Sequence, residues 1–243
     1  QVTMISKAPY INPPYETFMS SDWDTRDKVT YSTFSSWSDI SQWYNDLTSN
    51  KQDVTLELEY LADSLFKGLK TDDAKIEAVH TFITGSIRYS SIPFRQSGWI
   101  PQPAKEVLAT KIGDCKDMAS LGKTLLALAN IKSDLVLVNT YQRNAFEHSF
   151  IGPNFNHCIL ATKYKGKQHY LDFTDNNQSI SGLPLSDQGA MALVIREDNK
   201  TLIALPKDTP DERTKTRTIY TNISEDGSIT RKSESIRTGI YSS

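Results

Sequence analysis

Hydrophobic residues recur at helical spacing through the first third of the chain and then give way to short apolar runs of strand length, which predicts helices first and a sheet after them. Trp37, Ile40, Trp43, Tyr44 and Leu47 form one stripe behind Ser36, a residue suited to cap a helix. Val54, Leu58, Leu61, Ala62 and Leu65 form a second. Thr71-Asp72-Asp73 opens a third helix carrying Ile76, Val79, His80 and Ile83, with Gly85 near its end. His80 sits within that apolar stripe and reads as a structural histidine.

From Leu135 the period changes. Leu135-Val136-Leu137-Val138 is a short apolar strand, followed by a polar loop from Thr140 to Phe155 that is long enough to form one wall of a cleft. Ile159-Leu160-Ala161 and Tyr170-Leu171 with Phe173 then flank the turn segment Lys163 to Lys167 as a hairpin. Ala192 to Ile195 and Leu202 to Leu205 predict two further strands, separated by Glu197-Asp198-Asn199-Lys200. The order of elements makes the fold class α+β with an antiparallel sheet.

Three segments follow from this. Residues 1–35 hold Pro9, Pro13 and Pro14 in a polar run and read as a linker or wrap from an upstream domain. Residues 36–206 form the core domain. Residues 207–243 carry an alternating pattern around Asp226-Gly227, a hairpin with a thin apolar face, so it either packs on the core domain or begins a C-terminal β domain.

With 243 residues, 38% of them hydrophobic, the chain can bury one good core. A net charge of −2 without a basic cluster argues against nucleic acid as a partner, and no apolar run is long enough for a membrane span. The first residue is Gln1, which is expected of a processed chain or a piece of a longer one, so the compartment stays open.

Candidate chemistry begins at Gly113-Asp114-Cys115-Lys116-Asp117, where a glycine turn leads a cysteine into the first turn of an apolar helix. Unpaired N–H groups and the positive end of the helix dipole favour a thiolate there. Asn156-His157-Cys158 opens one strand of the hairpin and Tyr170-Leu171-Asp172 lies in the other, so cysteine, histidine and aspartate occur in the order of a thiol acyl-transfer site.

A two-residue turn at Tyr164-Lys165 puts His157 directly opposite Asp172. A turn at Lys165-Gly166 shifts the pairing by two and keeps both on one face, with Asp175 on the other. Cys158 follows His157 by one residue and is expected to point away from Cys115 as an inert core thiol, unable to form a disulfide with it. His148, in the polar loop, is the rival base but has no matched orienting partner.

No cofactor and no metal is expected. Asp22, Asp24 and Asp27 alternate like part of a calcium loop but lack its glycine and terminal glutamate. The histidines at 80, 148, 157 and 169 lack zinc spacing with either cysteine.

These residues resemble a known family, the bacterial transglutaminase-like proteins, which are cysteine acyl-transfer enzymes on a papain-like scaffold. The resemblance rests on Ile87-Arg88-Tyr89, on Pro101-Gln102-Pro103-Ala104-Lys105-Glu106-Val107-Leu108 leading to Gly113-Asp114-Cys115-Lys116-Asp117, on Phe155-Asn156-His157, and on Tyr170-Leu171-Asp172-Phe173-Thr174. It spans about residues 36–205.

The resemblance implies that Cys115 is the nucleophile, His157 its base and Asp172 the orienting carboxylate, and that β domains flank the core in a longer parent chain. It favours the periplasm or cell envelope. The helix after the cysteine usually ends in Gly-Ile, and here it ends in Asn130-Ile131, which tolerates the same left-handed turn.

The reaction expected is acyl transfer from a peptide or amide carbonyl, with water or an amine as acceptor. The oxyanion would be held by the Cys115 N–H and a second donor, for which Gln102 and Trp99 are candidates. The alternative is a silent module that keeps the fold for peptide binding or inter-domain scaffolding.

Overall fold

Helices α1 (Trp37–Thr48), α2 (Leu56–Phe66) and α3 (Asp72–Ser86) come first, as the apolar stripes predict. The computed structural model describes residues 31–51, 54–91, 98–140, 150–176, 179–197, 199–209 and 214–238, with Pro14 and Glu212. Most of the segment 1–35, including Asp22, Asp24 and Asp27, lies outside the described residues, as does His148.

Ser36 caps α1 through a reciprocal pair. Its hydroxyl accepts from the Asp39 N–H at 3.2 Å and the Asp39 carboxylate accepts from the Ser36 N–H at 2.9 Å, an arrangement worth about 1 kcal/mol. Thr71 caps α3 by accepting from Ala74 N–H at 3.2 Å. Helix α2 starts later than its stripe suggests: Thr55 takes the cap position, so Val54 stays outside the helix and exposed, and only Leu58 and Ala62 are buried.

After α3 the chain makes the short strand β1 (Arg88–Tyr89), the helix α4 (Ala104–Thr110) and the short strand β2 (Ile112–Gly113), which pairs in parallel with β1. Helix α5 (Cys115–Leu128) follows directly. It ends at Asn130 with φ 60°, where Ile131 N–H reaches back to Leu126 O at 2.9 Å, the left-handed turn that Asn130-Ile131 suggests.

The main sheet is antiparallel, in the order β5-β4-β3-β6-β7, built from β3 (Ser133–Asn139), β4 (His157–Tyr164), β5 (Lys167–Leu171), β6 (Met191–Val194) and β7 (Ile203–Ala204). Strand β3 is central and covered on both faces. Leu135 and Leu137 join the cluster with α3 and α5, while Val136 and Val138 pack with Ile159, Ala161, Ala192 and Leu205 on the other side. This double cover is why its sequence is a continuous apolar run instead of an alternation.

The β4–β5 turn is at Lys165-Gly166, with positive φ at both residues (49° and 75°), the backbone of a two-residue turn in which glycine takes the second place. Leu160 therefore pairs with Leu171 and Tyr164 with Lys167. The turn at Tyr164-Lys165, with His157 directly opposite Asp172, is corrected by this register. The two residues lie diagonally on one face.

Residues 215–237 form a second hairpin, β8 (Lys215–Ile223) and β9 (Ile229–Arg237), turned at Asp226-Gly227. Every residue of both strands is exposed. Its apolar side chains Ile219, Ile223, Ile229 and Ile236 face solvent.

Candidate active site

Cys115 is the first residue of α5, and its placement depends on two buried aspartates. Asp114 caps the helix by accepting from Asp117 N–H at 3.2 Å, and Asp117 returns the bond by accepting from Asp114 N–H at 3.0 Å. Asp117 also accepts from the Gln102 N–H at 2.7 Å and from the Gln102 side-chain amide at 3.0 Å. The segment preceding α4 is thereby fastened to the turn that presents the thiol. Lys116 forms a buried ion pair with Asp114.

His157 is the first residue of β4, paired with Val138, and Asp172 follows directly after β5. The His157 Nε2 to Asp172 Oδ2 distance is 2.9 Å. Cys115 stands beside the same imidazole, close enough to favour its charged form. With Nε2 engaged by Asp172, Nδ1 is the nitrogen left for the sulfur.

Asp172 is buried and receives two further hydrogen bonds on Oδ1, from the Thr174 N–H and hydroxyl, each at 2.8 Å. Burial alone would push its carboxyl up, but the hydrogen bond and charge of His157 and the Thr174 donors outweigh it and hold it below the usual range. Burial likewise opposes the charged form of His157. The hydrogen bonds and charges of Asp172 and Cys115 overcome that and hold the imidazole well above its ordinary value.

Cys115 and His157 border a cleft of about 110 Å³ lined also by Tyr44, Trp99, Lys116 and Phe155, among others. Trp99 thus faces the proposed chemistry. Gln102 is placed differently, with its amide turned to Asp117. His80 is buried in α3, its ring 5.9 Å from that of Phe173, and burial lowers its affinity for a proton.

Cys158 is buried, as a core thiol should be, but its direction corrects the expectation. It belongs to the face of the sheet that packs on α5, beside Leu160 and Leu137, and lines the same cleft as Cys115. Alternation separates directions within the sheet, whereas His157 stands at the strand's first position and reaches Cys115 around its end. No backbone layer lies between the two thiols. Both are free, and burial pushes the Cys158 thiol far up, with Tyr44 Oη 3.9 Å from its sulfur.

The residue that sequence reasoning missed is Asp187. It is wholly buried in the turn before β6, its Oδ2 is 3.7 Å from His157 Nε2, and that oxygen has no hydrogen-bond partner among the described residues. Burial first, and the neighbouring Asp172 against the opposing pull of His157, push its carboxyl up to about 7. In Leu185-Ser186-Asp187-Gln188-Gly189 it reads as an ordinary turn residue, thirty positions after His157, and no sequence signal marks it. Among the described residues, His157, Asp172 and Asp187 are the grouping able to hold a metal ion, with donor atoms within 4.8 Å of one another.

Helices followed by an antiparallel sheet, with a cysteine at a helix start beside a histidine at the start of a strand, make an α+β papain-like core. Residues 59–172 match the family model of the transglutaminase-like superfamily. No curated protein matches the chain in sequence.

Among solved structures it is similar to a candidate protease from Parabacteroides distasonis ATCC 8503, at 16% identity and a TM-score of 0.54, over 79% of this chain and 38% of that one. A candidate cysteine protease from Cytophaga hutchinsonii gives 15% identity and a TM-score of 0.42 over 75% and 52%. LapG from Legionella pneumophila gives 18% and 0.35 over 58% and 72%. The chain thus spans between about a third and about half of the first two proteins. At these identities the first likeness bears on the fold alone.

Proposed function

We propose that this domain is a thiol acyl-transfer enzyme acting on a peptide or amide carbonyl. The observation that carries the reading is the pairing of Cys115 and His157 at one cleft, with the far side of the imidazole held at 2.9 Å by Asp172. The Cys115 sulfur attacks the carbonyl carbon and its proton passes to His157. As the C–N bond breaks, His157 returns that proton to the leaving amine, and a thioester remains on Cys115. Water or a primary amine then attacks the thioester, regenerating the thiol and giving hydrolysis, deamidation or cross-linking according to the substrate and acceptor.

Asp172 fixes the ring orientation and stabilises the imidazolium. For the oxyanion, the Cys115 N–H is joined by Trp99 as the candidate second donor in preference to Gln102, whose amide is held by Asp117. The exposed hairpin β8–β9 is a surface onto which a flanking β domain fits.

An activated acetyl ester tests the reading without a known substrate. Wild-type protein should release the alcohol and carry one acetyl group on Cys115 by mass measurement, and a fluorescent primary amine added afterwards shows whether amines are accepted. Cys115→Ala should do neither. Equal ester turnover by Cys115→Ala sinks the mechanism.

A further inference from the structure

Asp172 and Asp187 are two buried carboxyl groups beside one imidazole, and their surroundings differ. Asp172 has three donors around its oxygens: His157 Nε2, the Thr174 N–H and the Thr174 hydroxyl. Asp187 has the Ser186 hydroxyl on Oδ1 at 3.0 Å, and among the described residues nothing donates to Oδ2. A wholly buried carboxylate with one bare oxygen is costly. An oxygen of Asp187 and one of Asp172 lie within 4.8 Å of each other and of the His157 ring nitrogen. A proton on Asp187 Oδ2 removes the cost, because the bare oxygen becomes a donor and the neighbouring carboxylate is its acceptor.

We propose that Asp187 is a positioning residue of this site, which keeps a proton and donates it in a hydrogen bond to Asp172, so that the two carboxyl groups carry a single negative charge against His157. The inference rests on the acyl-transfer reading for its catalytic meaning, but its proton is measurable without a substrate. The titratable groups facing Asp187 are His157 from β4 and Asp172 after β5, with Ser186 from its own turn; behind Asp172 stands His80 of α3. The elevation of Asp187 to about 7 agrees with this proton assignment.

The consequence is electrostatic. While Asp187 is neutral, Asp172 divides its charge between the imidazole and the carboxyl proton, and His157 releases its proton more readily to a leaving group. When Asp187 ionises, a second negative charge stands 3.7 Å from Nε2 and the imidazolium holds its proton more tightly. One buried turn residue therefore sets how good an acid His157 is around neutral pH.

The test follows the His157 ring signals by NMR against pH in wild-type protein, Asp187→Asn and Ser186→Ala. In the wild type, the ring signals should show an inflection near neutral pH from Asp187, before His157 itself titrates. Asp187→Asn, whose amide donates to Asp172 without ionising, should lose that inflection and release the His157 proton about one pH unit lower. Ser186→Ala strips the donor from Asp187 Oδ1 and keeps the carboxyl, so the inflection should move to higher pH.

A His157 titration identical in wild type and Asp187→Asn overturns the proposal, as does an unmoved inflection in Ser186→Ala. Binding of zinc chloride to the wild type that disappears in Asp187→Asn also overturns it, by making the bare oxygen a metal ligand. The parent reading is separated by alkylating Cys115 in the same samples. Reactivity indifferent to His157→Ala removes the acyl-transfer reading and leaves the Asp187 titration as it stands.

Discussion

Gly122 lies in the middle of α5, where helix propensity and packing make opposite predictions for Gly122→Ala. Alanine in place of glycine in a helix interior should stabilise by about 0.5–1 kcal/mol. A Cβ built on Gly122 would stand 2.9 Å from both Cε2 and Cζ of Phe173 and 3.3 Å from Ile83 Cδ1. Phe173 is 2% exposed, so its ring has no open space to enter.

Overpacking of this kind costs about 1–3 kcal/mol, which offsets the propensity gain and leaves a net loss of up to about 2.5 kcal/mol. For a domain of this size that lowers Tm by up to roughly 10 °C. Thermal unfolding followed by circular dichroism measures it. Phe173 adjoins Asp172, so the displaced ring should also slow alkylation of Cys115. Gly122→Ala combined with Phe173→Leu should recover part of the loss, because the shorter side chain vacates the position of the clashing ring atoms. A higher Tm for the single variant would refute the packing argument, since it would mean that propensity decides at this position.

Three further outcomes are expected. In ester turnover, His157→Ala should lower the rate by about 10²–10⁴-fold, and Asp172→Asn should be less damaging, because the orienting group touches no reacting atom. Asp187 ionises near 7 in the folded chain but near the ordinary carboxyl value when unfolded, so its contribution to stability falls as pH rises between about 4 and 7 and is level above. Urea unfolding should show the advantage of Asp187→Asn growing across that window, up to about 4 kcal/mol, and a pH-independent difference would contradict the sign. Asn130→Val puts a branched side chain at φ 60° and should cost about 1–2 kcal/mol in the same assay.

The helices are legible in the sequence because each couples one buried stripe to a capping residue, as Ser36 and Thr71 do. Cys115, His157 and Asp172 are legible as candidates for a related reason: a helix start and a two-residue hairpin leave few places where the side chains can point. The exact register is harder to read. Turns at 164–165 and 165–166 both keep His157 and Asp172 on one face, so the apolar alternation does not choose between them. The preference of a tight turn for glycine at its second position, met by Gly166, does.

Cys158 was misdirected by taking the strand's first residue as facing its partner squarely, when Leu160 and Leu137 define the helix-side face. Asp187 is hidden for a different reason. Its role arises from a turn brought against His157 by tertiary packing, and nothing in its local sequence distinguishes it from an aspartate placed there for the turn.

The hydrogen bonds gathered by Asp117 bear on how a substrate could enter. That carboxylate ties the backbone and side chain of Gln102, three residues beyond Trp99, to the very turn that presents Cys115. The Trp99 side of the cleft and the sulfur at its base therefore move as one piece, like a jaw fused to its own anvil. The opposite wall, residues 155–157, is fastened elsewhere: Asn156 is joined to Thr140 by hydrogen bonds at 2.8 and 2.9 Å, and its N–H reaches Val138 O at 3.0 Å. His157 belongs to that second wall, so the pairing of base with nucleophile spans two separately fastened pieces of the molecule.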